Sequence, residues 1–132
     1  MRSHGSILFV EDEPLILEMV ADALRDLGYN VKEASDGPGA VQFLDSPTHF
    51  DVLVSDVSMP NGISGIELAY KANDVRPRMR VVLASGFARS QLPEIPEGVI
   101  LIAKPYRVGE LFTLLSNLLE ESRGSNDGAT LA

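Results

Sequence analysis

The chain has 132 residues, 45% of them hydrophobic and 23% charged, the size and balance of one globular domain with a single core. Nineteen acidic residues against 11 basic ones leave a net charge of −8, the wrong sign for a nucleic-acid surface, and the lack of cysteine excludes disulfides, thiol catalysis and thiolate metal sites. No apolar run approaches the ~18 residues of a membrane span and no signal-peptide core opens the chain, so a cytoplasmic protein without membrane contact is expected.

Residues 1–5 are small and polar and are expected to be a flexible start. Ile7-Leu8-Phe9-Val10 is a continuous apolar run, the pattern of a strand buried on both faces, and Glu11-Asp12-Glu13-Pro14 stops it. Pro14 suits the first turn of a helix, and the apolar positions Ile16, Val20, Ala23, Leu24 and Leu27 carry helical spacing up to Gly28. A weaker strand is expected over 31–34, a turn over 36–39 and a short helix over 40–44. Val52-Leu53-Val54 marks a second strongly apolar strand ending at Asp56, with loop chemistry over 59–62 and a helix over 66–73. Val81-Val82-Leu83 is a third buried strand, ended by Ser85-Gly86. Pro93 and Pro96 limit the next helix to a short one near 88–92. A last strand is expected over 99–102. An amphipathic helix over 108–119 carries the stripe Leu111, Leu114, Leu115, Leu118, and a disordered tail is expected over 122–132.

Five strands alternating with five helices predict an open parallel sheet covered on both faces. In such sheets the site lies beyond the carboxyl ends of the strands. Glu11 and Asp12 follow the first strand, Asp56 the third, Ser85 the fourth and Lys104-Pro105 the fifth. Three carboxylates, a hydroxyl and an ammonium would then converge on one edge. Crowded carboxylates repel unless a cation neutralises them. A hard divalent ion such as Mg2+ takes oxygen ligands of this kind. An aspartate beside it can attack phosphorus and become an aspartyl phosphate.

Four segments, Phe9-Val10-Glu11-Asp12-Glu13-Pro14, Val54-Ser55-Asp56-Val57-Ser58-Met59-Pro60, Leu83-Ala84-Ser85-Gly86 and Ala103-Lys104-Pro105-Tyr106, occur in order at compatible spacing. Together they resemble the response-regulator receiver domain of two-component signalling, chemotaxis regulators included, over residues 6–121. The resemblance implies a flavodoxin-like (βα)5 three-layer α/β sandwich with strand order 2-1-3-4-5. It implies that Asp56 is the phosphoacceptor and that Glu11 and Asp12 hold Mg2+, with Asp12 a direct ligand and Glu11 acting partly through water. It further implies that the Ser58 carbonyl completes the metal shell, that Ser85 senses the phosphoryl group and that Lys104 pairs with it. Pro105 matches a proline whose peptide bond is often cis in the family.

The chain departs from the common family pattern in three places. Gly62-Ile63-Ser64-Gly65 makes the loop after Pro60 one residue longer, as in receivers of hybrid histidine kinases. Leu101 stands three before Lys104, where the family usually has Tyr or Phe. Ala84-Ser85-Gly86-Phe87 with a proline-rich continuation is similar to alphaproteobacterial single-domain regulators with an F-A-T-G-like motif. The function implied is a Mg2+-dependent phosphoacceptor, loaded by a histidine kinase or phosphotransfer protein, that signals by contact with a downstream protein. It would catalyse only its own phosphorylation and dephosphorylation. The alternatives are a receiver cut from a hybrid kinase, an unphosphorylated scaffold, and a Mg2+-dependent phosphohydrolase with an aspartate nucleophile. For the hydrolase, Ser58 stands where a second aspartate would serve as general acid, and serine cannot take that role. His4 and His49 are read as surface or loop residues, and Tyr106 as a packing residue.

Overall fold

The computed structural model describes residues 4–59 and 62–131, with side chains in the last helix as far as residue 120. Strand β1 (Ser6–Val10) leads to helix α1 (Pro14–Asp26), then β2 (Asn30–Ala34), α2 (Gly37–Leu44), β3 (Val52–Asp56), α3 (Gly65–Val75), β4 (Arg80–Ser85), β5 (Ile100–Ala103) and α4 (Val108–Leu131). All pairings are parallel and the strand order is β2-β1-β3-β4-β5. This is the open parallel sheet that the alternation predicts, in the flavodoxin-like order that the resemblance implies.

Strand alternation builds both outer layers. Ile7, Phe9, Val52, Val54 and Val82 point to one face and pack with Val20 and Leu24 of α1 and Leu111 and Leu115 of α4. Leu8, Val10, Leu53 and Leu83 point to the other face, against Ala40 and Leu44 of α2 and Leu68 and Ala72 of α3. Successive residues must face opposite sides of a pleated strand, so one unbroken apolar run serves two cores. Each fully buried aliphatic side chain contributes about 1.5–3 kcal/mol relative to exposure.

The helix starts follow local chemistry. Pro14 opens α1. The Asp36 carboxylate accepts the Gly39 N–H at 2.8 Å, which moves the start of α2 to Gly37, three residues ahead of the expectation. Ser64 and Glu67 form a reciprocal capping box at α3. Gly28, at φ +102°, ends the α1 turn in a conformation that L side chains rarely adopt. Helix α4 continues past the expected end at 119, and the expectation of a disordered tail over 122–132 lies outside the described side chains.

The fourth of the five expected helices is absent as an α-helix. Between β4 and β5 only a single 3-10 turn forms, at Arg89–Gln91. Pro93 and Pro96 remove two backbone donors and crowd the preceding turn, so the chain crosses in extended form. It is held instead by Ile95 and Val99 in the core, by the Tyr70 hydroxyl donating to the Glu94 carbonyl at 3.1 Å, and by Arg89 donating to the Val99 carbonyl at 3.1 Å.

At the start of the chain, residues 1–3 lie outside the described residues, but His4 and Gly5 are tied down. The His4 N–H donates to the Gly28 carbonyl and the Asn30 N–H to the Gly5 carbonyl, each at 2.9 Å. The loop expected over 59–62 is described only at its ends, because residues 60 and 61 lie outside the described residues.

Candidate functional site

The carboxyl ends of β1, β3, β4 and β5 meet at one edge of the sheet, and the segments that follow them carry the polar groups. Glu11 leaves β1 with its N–H donating to Ala34 of β2, which carries its side chain inward rather than to solvent. The residue is 1% exposed, whereas Asp12 is exposed. Asp56 is the last residue of β3 and is 4% exposed. One ligand oxygen from each of Glu11, Asp12 and Asp56 lies within 4.8 Å of the others.

Lys104 reaches into this cluster from beyond β5. Its Nζ lies 2.8 Å from Asp56 Oδ1 and 3.9 Å from Glu11 Oε1. The Lys104–Pro105 peptide is cis. Asp56 Oδ2 is buried and has no hydrogen-bond partner among the described residues. A buried carboxylate oxygen rarely goes unsatisfied. Its lone pairs, together with oxygens of Asp12 and Glu11, are the hard donor set that suits an oxygen-seeking divalent cation.

The electrostatics carry the mark of crowding. Burial, then the adjoining Asp56 carboxylate and its charge, push the Glu11 carboxyl up to about 7, although the Glu13 N–H, donating to Glu11 Oε2 at 3.0 Å, works the other way. Burial favours neutral Lys104, but its hydrogen bond to Asp56 and the charges of Asp56, Glu11 and Asp12 outweigh that and hold the ammonium above its usual range. Burial, then the negative charge of Glu11 and Asp56, also holds the Tyr106 phenol above its usual range. Tyr106 packs partly buried beside the α1–α4 layer, as its reading as a packing residue requires.

Ser85, 4% exposed, closes β4. Its Oγ accepts the Phe87 N–H at 2.9 Å and its carbonyl accepts the Lys104 N–H at 2.9 Å, which ties the β4 and β5 exits together. A serine oxygen that accepts can still donate its own proton. Ser58 lies two residues past Asp56 with its side chain exposed. Glu11, Asp12, Asp56 and Lys104 thus form one cluster, with Ser85 at the end of the neighbouring strand β4 and Ser58 on the segment that leaves β3.

The histidines lie elsewhere and have partners that the sequence does not reveal. His49 Nε2 is 3.0 Å from Asp51 Oδ1, and the His4 ring tilts against Tyr29 at 5.8 Å between centroids.

Two further residues at the site escaped the sequence reading. The Ser55 hydroxyl donates to the Asp56 carbonyl at 2.9 Å, and Gly65 packs so closely that an added Cβ would sit 1.9 Å from the same oxygen. A small residue at the first position of a capped helix is the only sequence sign of the second. The first has none.

A family model for the response regulator receiver domain matches residues 7–116. The chain is 28% identical over 116 residues to the response regulator receiver protein CpdR of Brucella abortus (strain 2308), covering 86% of this chain and 95% of that protein. It is 32% identical over 124 residues to the sensor histidine kinase RcsC of Escherichia coli (strain K12), where 92% of this chain corresponds to 13% of the kinase. Among solved structures, the receiver domain of the hybrid histidine kinase CckA matches with a TM-score of 0.74 at 36% identity, over 87% of this chain and 99% of that one.

Proposed function

The chain belongs to the response regulator receiver domain family, and on that premise we propose that Asp56 is its phosphoacceptor. The family supports reading the chain as a phosphoacceptor signalling module. The observation that carries the assignment of Asp56 is its carboxylate, buried at the sheet edge with one oxygen held by Lys104 and the other without a partner among the described residues.

Mg2+ is the cation that this site would hold, through Asp12, Asp56, the Ser58 carbonyl and Glu11, the last partly through water. Bound there, it would neutralise negative charge on the carboxylates and on the incoming phosphoryl oxygens. The chain's own residues do the rest. An oxygen of Asp56 attacks phosphorus, the bond from phosphorus to the donor's leaving group breaks, and an acyl phosphate forms. Lys104, already beside Asp56, pairs with the new charge. Ser85 donates its proton to a phosphoryl oxygen.

The donor is a histidine kinase or a histidine phosphotransfer protein, and the output is contact with a downstream protein, in the cytoplasm. The relatives include a regulator of about this length and much longer sensor kinases, so a receiver borne on a hybrid kinase fits the same site. Within the described residues no helix is long and apolar enough to cross a membrane.

The test is intact-mass measurement after treatment with acetyl phosphate and Mg2+. One added phosphoryl group is expected on the wild-type protein and none on Asp56→Asn. Equal labelling of the two proteins refutes the assignment.

A further inference from the structure

We propose that Ser55 is a positioning residue for the phosphoacceptor: its buried hydroxyl holds the Asp56 carbonyl in place while Gly65 packs closely against the same oxygen. The proposal rests on the reading of Asp56 given above. Ser55 is 1% exposed and lies in β3, where Val10 and Leu83 flank it in register. Strand alternation turns its side chain away from the Asp56 carboxylate, to the face of Leu53 and Val57, both in the α2–α3 core. A hydroxyl buried there costs stability unless it is bonded. It donates to the Asp56 backbone oxygen at 2.9 Å, with the Met59 sulfur 3.7 Å away.

The same carbonyl faces the first turn of α3. An added Cβ on Gly65 would lie 1.9 Å from that oxygen and 2.7 Å from its carbon, and the Gly65 N–H donates to the next carbonyl, Val57, at 2.7 Å. The capping box of Ser64 and Glu67 fixes where that turn begins. The Asp56–Val57 backbone is therefore gripped by a hydroxyl from its own strand and by a helix start that only glycine permits. This is the turn that aims the Asp56 carboxylate and leads to Ser58. Small errors in aim are costly, because misplacing a reacting group by an ångström costs up to about a hundredfold in rate.

The test is the rate of Asp56 labelling by acetyl phosphate at saturating Mg2+, alongside melting temperature. Ser55→Ala is expected to slow labelling by about tenfold. Ser55→Thr, which keeps the hydroxyl, is expected to restore the rate, and Gly65→Ala to slow it by crowding the same carbonyl. Arg76→Ala serves as the stability control, since Arg76 lies at the far edge of the sheet; it is expected to melt earlier yet to be labelled at the wild-type rate. The proposal is overturned if Ser55→Ala matches the wild type. It is also overturned if Arg76→Ala slows as much as Ser55→Ala, or if Ser55→Thr at a wild-type melting temperature stays slow. A wild-type protein that takes no label on Asp56 overturns the underlying reading instead, and this proposal with it.

Discussion

Lys104 and Asp56 stand 48 residues apart in the chain, and the ammonium of the one lies 2.8 Å from a carboxylate oxygen of the other. The second oxygen, Oδ2, has no hydrogen-bond partner among the described residues. The carboxylate is therefore half satisfied, in the cluster that it forms with Glu11 and Asp12.

Cation binding should raise stability. A ligand that binds only the folded chain at ten times its Kd contributes about 1.4 kcal/mol, worth roughly 4 °C in a domain of this size. Thermal melts with and without millimolar Mg2+ measure the shift. Asp12→Ala is expected to abolish it, and an equal shift in that variant would count against Asp12 as a ligand.

The response to pH has a defined sign. The Glu11 carboxyl sits at about 7 in the folded chain, above its ordinary 4.5. Its contribution to stability is fully present below pH 4.5 and is lost as pH rises through 7, because the folded state then has to hold a second buried negative charge beside Asp56. Mg2+ opposes that loss, since cation binding displaces the proton. Metal affinity is thus expected to rise between pH 6 and 8. Glu11→Gln should flatten both trends, as read by urea titrations and by calorimetry in two buffers of different ionisation enthalpy. An unchanged pH slope in Glu11→Gln would show that another group carries the effect.

Arg76 binds four backbone carbonyls at once: Leu44 at 3.1 Å, Thr48 at 2.6 Å, Phe43 at 3.2 Å and Ser46 at 2.8 Å. Its guanidinium also lies 5.4 Å from the centre of the Phe50 ring. It satisfies the open end of α2 from the end of α3. Arg76→Ala is expected to cost about 3 kcal/mol in urea unfolding, because several carbonyls lose a charged donor together. A loss below 1 kcal/mol would mean that water replaces the guanidinium at little cost.

The segment between β4 and β5 is expected to report the phosphorylation state. Leu101 cannot form the hydrogen bond to Ser85 that an aromatic hydroxyl could, whereas the Ser85 Oγ already holds the Phe87 N–H. Movement of Ser85 toward a phosphoryl group would pull residues 86–98, which lack an α-helix and are pinned through Tyr70 and Arg89. Amide NMR with and without beryllofluoride and Mg2+ should place the largest shifts outside the site in 86–98. Tyr70→Phe should speed hydrogen exchange there. Shifts concentrated at Leu101 and Tyr106 would assign the readout to β5 instead.

The sequence alone determined the elements whose signal is local. The runs Ile7–Val10, Val52–Val54 and Val81–Leu83 read as strands because no polar residue interrupts them, and Pro93 with Pro96 foretold that the fourth helix would be stunted. The order of the four motifs located the edge where the site lies. Tertiary structure decided what depends on contacts between distant residues. Nothing local tells that Glu11 is buried while Asp12 beside it is exposed, since that difference arises only when β1 is flanked by β2 and β3. Nor does it tell that Arg76 closes α2 some thirty residues earlier in the chain, or that Tyr70 holds Glu94. Ser55 and Gly65 look like a small strand residue and a helix start. Only when α3 folds back against β3 do they meet on the Asp56 carbonyl, because close approach is a property of packed backbones and leaves no mark in spacing.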